Sequence, residues 1–149
     1  MRILAVDFGM ARVGLALSDP GGRMAFPLAT LARTTRDKLF ADILAVIERE
    51  GVERVVVGLP LNLDGSDSES TRRARNFAAS LARRTRTPVV LEDERLSTEA
   101  AREDLRAAGL RGKRERAAVD QQAAVRILQT HLARPQVPGP ETLPGGHGH

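Results

Sequence analysis

The run Ile3 to Val6, "ILAV", offers no polar side to either face of a strand, so it fits only the interior of a sheet that is covered on both sides. A second run of this kind, "VERVVVGLPL" from Val52 to Leu61, is β-branched and is stopped by Gly58 and Pro60. Between them, from Asp37 to Glu50, Leu39, Phe40, Ile43, Leu44 and Ile47 recur at helical spacing, and Gly51 ends the pattern. Doubly buried strands separated by an amphipathic helix call for a layered α/β architecture.

The remaining punctuation fills in the order. "FGMAR" turns the chain after the first strand and "VGLALSD" resumes the apolar run, which reads as a hairpin. "DPGG" at Asp19 to Gly22 marks a further turn before a third strand in "AFPLATL". The polar loop "NLDGSDSES" supplies an N-cap for a helix over about Glu69 to Thr85. "TPVVLEDERLS" is a strand ending in acids, "STEAAREDLRAAG" a short helix stopped by Gly109, and "LRGKRER" a mobile loop. A last helix covers about Ala117 to Leu132, before Pro135.

This order predicts a mixed five-stranded sheet, in which a three-stranded antiparallel meander precedes alternating helices and strands, with helices on both faces. With 149 residues the chain can bury one core, expected over residues 1–133. The Pro/Gly-rich "RPQVPGPETLPGGHGH" of residues 134–149 lacks the apolar content to join it and is expected to be disordered.

Ligands in open α/β sheets sit at the carboxyl ends of the strands, and acids stand there. Asp7 ends the first apolar run, and Asp93 and Glu94 close the strand that begins at Val89. Strand alternation sends Asp93 and Glu94 to opposite sides, so only one of them can join Asp7; Glu94 is favoured, and the residues leave the choice open. Asp120 shares a helical stripe with Ala124, Ile127, Leu128 and His131 that faces the sheet. A carboxylate on a packed face must be paired or must coordinate an ion. Arg126, Arg116 or local backbone could pair it. The small Ala123 and Ala124 let the helix come close, and Gly9 and Gly14 leave room beside Asp7.

The chain has no cysteine, which removes disulfides, thiolate zinc sites and cysteine nucleophiles from consideration. Oxygen-only acids meeting at one place suit Mg2+ or Mn2+, and a pair of such ions supports hydrolysis of a phosphodiester. A net charge of +4, carried almost wholly by arginine, favours a phosphate-bearing partner. Arginines cluster between Arg72 and Arg86, and Arg111, Lys113, Arg114 and Arg116 form a second basic group. The aromatic share of 3% argues against a platform of stacked rings for single strands. No apolar run approaches the roughly 20 residues of a membrane span, and a cytoplasmic location is expected.

Four segments, "LAVDFGMARVGLALSD", "VVVGLPLNLDGS", "LEDERLST" and "AAVDQQAAVRILQTHL", resemble in order and spacing the YqgF/RuvX family, relatives of the RuvC Holliday-junction resolvase. The resemblance spans Arg2 to about Leu132. It implies an RNase H-like fold and a metal-dependent nuclease site made by Asp7, an acid of the "DER" segment, here Glu94, and Asp120. It further implies maturation of the 5′ end of pre-16S ribosomal RNA, with resolution of branched DNA or a purely nucleic-acid-binding role as alternatives. Arg12, Asn62, Arg95 and Ser97 lie in the same segments; Arg12 and Arg95 are candidates for phosphate contacts or for surface salt bridges, and Asn62 for orienting substrate or shaping its loop. Met10 stands where the family more often carries Thr or Ser. Monomer and dimer remain open.

Overall fold

The computed structural model describes residues 1–94, 112–133 and 142–143. The strands are β1 (Ile3–Phe8), β2 (Arg12–Ser18), β3 (Ala25–Ala32), β4 (Arg54–Leu59), β5 (Val89–Asp93) and β6 (Thr142–Leu143); the helices are α1 (Arg36–Glu50), α2 (Glu69–Ala82) and α3 (Gly112–Ala133). They form one sheet in the order β3-β2-β1-β4-β5-β6. The meander β1-β2-β3 is antiparallel, β4 lies parallel to β1, and β5 lies parallel to β4. Pro27 stands in β3, an edge strand, where a missing backbone N–H is tolerated.

The doubly apolar strands occupy the centre because each face has its own cover. Leu4, Val6, Leu15, Val55 and Val57 pack under Leu39, Phe40 and Ile43 of α1 and Phe77 and Leu81 of α2. Ile3, Ala5, Ala16, Val56 and Val90 face Ala124, Val125, Ile127 and Leu128 of α3. Both helix starts follow from local chemistry. Thr35 caps α1 by accepting the Lys38 N–H, and Ser68 and Thr71 exchange side-chain to backbone bonds at the start of α2.

Two expectations need revision. Residues 112–116 of the supposed loop "LRGKRER" belong to α3, which begins at Gly112. A run of Lys, Arg and Glu reads as solvated loop by charge, yet these residues are good helix formers wherever one side is free to meet water. Within the segment expected to be disordered, Thr142–Leu143 pairs antiparallel with Val89 and Val90, adding a sixth strand at the free edge of β5. Two residues carry no periodic signal; the unpaired backbone of β5 supplies the reason to pair. Arg111, Arg95, Ser97 and the expected helix at 97–109 lie outside the described residues.

The β2–β3 turn is held by one carboxylate. Asp19 accepts the N–H of Met24 and of Arg23 at 2.7 Å each, and that of Gly21 at 3.2 Å. These bonds, the one from Met24 foremost, hold its carboxyl below the ordinary 3.8. Since the folded value lies beneath the unfolded one, Asp19's contribution to stability is complete above the unfolded value and fades as pH falls through the depressed one. Asp19→Asn is therefore expected to flatten the acid limb of the stability curve below about pH 4, measured by denaturant unfolding across pH. An acid limb as steep as that of the wild type would show that the turn carries no such charge.

Candidate active site

Strand alternation decides which acids can meet. Ile3 and Ala5 face α3, so Asp7, two residues on, stands on the same side at the carboxyl end of β1. Val90 faces α3 as well, which places Glu92 on that side and Asp93 with Leu91 on the other. Glu94, just past the strand, lies on the α3 side, where its Oε2 comes within 2.9 Å of the place a Cβ on Gly58 would occupy. Asp7, Glu94 and Asp120 are all buried, from three elements of one sheet face.

Two glycines make this possible. At Gly14, opposite Asp7 in the β1–β2 ladder, the backbone carbonyl of Asp120 occupies the space that a Cβ would need. At Gly58, the Glu94 carboxyl and the Ile127 side chain do the same. Ala123 and Ala124 are fully buried on the facing turn, so α3 settles directly onto the strands. The sheet is thus thinned at the two places where an acid must approach.

Arg126 and Arg116 looked available to Asp120 in the sequence, but its partner comes from the sheet. The guanidinium of Arg12 reaches Asp120 Oδ2 with Nε at 2.7 Å. Arg12 sits on β2 two residues before Gly14, so one strand supplies both the space and the counter-charge. About a third of the Arg12 side chain remains open to solvent, against 11% for Asp120. Gln121, the next residue, donates to Thr30 Oγ1 at 3.1 Å and fixes the helix against β3. Among the described residues, no three His, Asp or Glu groups stand close enough together to grip a single ion. The donor chemistry suits a hard divalent cation, with carboxylate oxygens on one face and no sulfur, while Arg12 at present holds one of those carboxylates.

Asn62 closes its own loop: its side-chain amide donates to Ser66 Oγ at 3.0 Å and its N–H to the Ser66 carbonyl at 2.9 Å. Lys113, Arg114 and Arg116 lie in the first turns of α3. One acid escaped attention in the sequence. Glu92 is completely buried, and its Oε1 is 3.2 Å from Nδ1 of His131, whose Nε2 is 3.2 Å from Arg54 Nη1. This chain of contacts ties α3 to β5 and β4 along its length. The parity that puts Glu94 on the α3 face puts Glu92 there too, and the helical stripe from Asp120 ends at His131, so both halves of the pair were readable.

Residues 1–134 match the family model described as "RuvX: Holliday junction resolvase". A protein of Nitratidesulfovibrio vulgaris (strain Miyazaki F) bearing the name "Putative pre-16S rRNA nuclease" is 54% identical over 136 residues, covering 91% of this chain and 96% of that one. One of the same name from Maridesulfovibrio salexigens is 52% identical over 134 residues, covering 90% and 99%. Among solved structures, T. thermophilus RuvC in complex with a Holliday junction substrate superposes with a TM-score of 0.54 at 16% identity, covering 96% of this chain and 99% of that one. That last likeness is one of fold, which is RNase H-like.

Proposed function

The chain belongs to the RuvX family, and on that footing we propose that it is a metal-dependent nuclease that hydrolyses phosphodiester bonds in the 5′-end maturation of pre-16S ribosomal RNA. The observation that carries this reading is the burial of three carboxylates on one sheet face, with a glycine beneath two of them. Burying a carboxylate costs free energy that a partner or a bound ion must offset. The rRNA substrate is favoured over branched DNA because the relatives at 54% and 52% identity carry the rRNA name, whereas the likeness to RuvC is at 16%.

In this reading Asp7, Glu94 and Asp120 hold Mg2+ or Mn2+. Such an ion, when bound, makes water more acidic and stabilises charge on the phosphate oxygens. Arg12, partly exposed beside Asp120, presents guanidinium N–H groups to a phosphate once the carboxylate is engaged elsewhere. Arg95, Arg111, Lys113, Arg114 and Arg116 supply positive charge along the flanking backbone and fix register without reading sequence. Asn62 holds the loop after β4 in shape. A precursor of the ribosome as substrate places the enzyme in the cytoplasm, and no helix among the described residues is long and apolar enough to cross a membrane.

Purified protein offered a precursor-rRNA fragment and a four-way DNA junction, each with Mg2+ or Mn2+, tests the proposal. Cleavage of the rRNA fragment, lost on chelation, is expected. Cleavage confined to the junction would assign the resolvase activity instead. Binding of either without cleavage would make the chain a binding module.

A further inference from the structure

On the face of β1 opposite Asp7, Phe8 borders a cavity of about 330 Å³ that lies between the strand end, the start of α1 and the side of α2. Three of the chain's four phenylalanines line it. Phe8 stacks on Phe77 with ring centroids 4.4 Å apart, and Phe77 stacks on Phe40 at 5.5 Å. Three arginines, Arg33, Arg36 and Arg73, also line it, and among the described residues no acid does. Arg33 lies over the Phe8 ring at 4.4 Å and donates to the carbonyls of Gly9 and Met10 at 2.9 and 3.0 Å. Arg36 lies near Phe40 at 5.4 Å and donates to Ser80 Oγ at 2.6 Å. Neither guanidinium meets a carboxylate among the described residues; each is held in place by neutral acceptors. Arg73 is paired with Glu69 at 2.6 Å.

Packing cations together without counter-charge is unfavourable unless an anion joins them. The ring faces are taken up by one another and by arginines, so a flat base would meet the ring edges and the planar guanidiniums, and the Asn76 amide on the same wall offers both a donor and an acceptor to a base edge. The volume lies at the lower end of small-ligand sites, which suits a single unit and excludes a duplex. The turn that carries Met10 adjoins the cavity through Arg73: Met10 is 67% exposed and its sulfur touches that lining arginine at 2.8 Å. Asp7 and Phe8 are neighbours in sequence, so this turn is the ridge between the carboxylates and the cavity.

We propose that this cavity binds one nucleotide unit, its phosphate between Arg33 and Arg36 and its base against the phenylalanine edges and Asn76. A free mononucleotide and one nucleotide of a strand share that chemistry; assignment to a strand crossing the Met10 turn rests on the nuclease reading above.

Equilibrium dialysis in the presence of EDTA tests the site without turnover. The chain has no Trp or Tyr, so nucleotide absorbance near 260 nm is read against little protein background. The probes are AMP, UMP, inorganic phosphate and a five-nucleotide RNA, with the wild type, Arg36→Gln, Asn76→Ala and Asp7→Asn. Saturable binding of AMP or UMP, at least about tenfold tighter than phosphate and weakened about tenfold by Arg36→Gln, is expected, with Asp7→Asn binding as the wild type does. Asn76→Ala should weaken the nucleotides and leave phosphate unchanged. Tighter binding of the RNA, with the same sensitivity to Arg36→Gln, assigns the site to a strand; exclusion of the RNA assigns it to a free nucleotide. Absence of saturable nucleotide binding, or binding indifferent to both cavity variants at unchanged melting temperature, overturns the proposal. Nucleotide binding without cleavage of any nucleic acid would keep the cavity and remove the nuclease.

Discussion

Asp7→Asn is expected to lower the rate of metal-dependent cleavage by on the order of a hundredfold or more, since about 3 kcal/mol of transition-state stabilisation is within what a bound cation contributes. The fold should be untouched. Asn has the shape of Asp and the apolar strand around position 7 is unchanged, so the metal-free protein should melt close to the wild-type temperature. Single-turnover kinetics with saturating metal, alongside thermal melts in EDTA, check both halves. Asp120→Asn makes a contrasting case, because it also weakens the 2.7 Å contact with Arg12; its activity should fall similarly while its melting temperature drops. Equal cleavage by the wild type and Asp7→Asn would remove Asp7 from the site. A drop of more than roughly 5 °C for Asp7→Asn would make it a structural partner instead.

The second large effect comes from adding a single carbon. In Gly14→Ala the new Cβ would collide with the carbonyl of Asp120 and stand 3.1 Å from its Cα. The Cβ is fixed by its own backbone and what it meets is backbone, so no rotamer change relieves the clash and α3 must lift from β2. A loss of about 3 kcal/mol is expected, seen as a fall of roughly 6–12 °C in melting temperature. Cleavage should fall as well, because the displaced helix carries Asp120. Gly51→Ala is the control: that glycine has φ 64° and nothing lies within 4 Å of where its Cβ would stand, so only the left-handed backbone is strained, at about 1–2 kcal/mol. If both variants melted alike, close approach of helix and strand would not be the reason for Gly14.

Much of the fold was legible because its signals are local. Apolar runs without alternation, the helical stripe of α1, and Gly and Pro stops mark the elements of the first 94 residues, and the meander followed by alternating elements gives the sheet. Charge misled where propensity should have decided, at residues 112–116, and pairing of Thr142–Leu143 depends on an edge that no local pattern announces. The candidate site was half legible. Periodicity places Asp7, Glu94 and Asp120 on inward faces, but the identity of Asp120's partner is a tertiary fact: Arg12 is 108 residues away, whereas the arginines that looked available lie on the same helix. The phenylalanine stack was hidden for the same reason. A low aromatic share says nothing of whether the few rings meet, and Phe8, Phe40 and Phe77 come from three separate elements.

The span of the Arg12–Asp120 contact has a consequence for synthesis. A growing chain can complete the meander and lay α1 over it early, yet its third carboxylate arrives only when the C-terminal helix has left the ribosome and docked on β2. Every truncated or stalled product that ends before α3 therefore lacks the full acid set. A polypeptide still tethered among ribosomal RNA therefore has no Asp120 beside Arg12 until α3 has emerged.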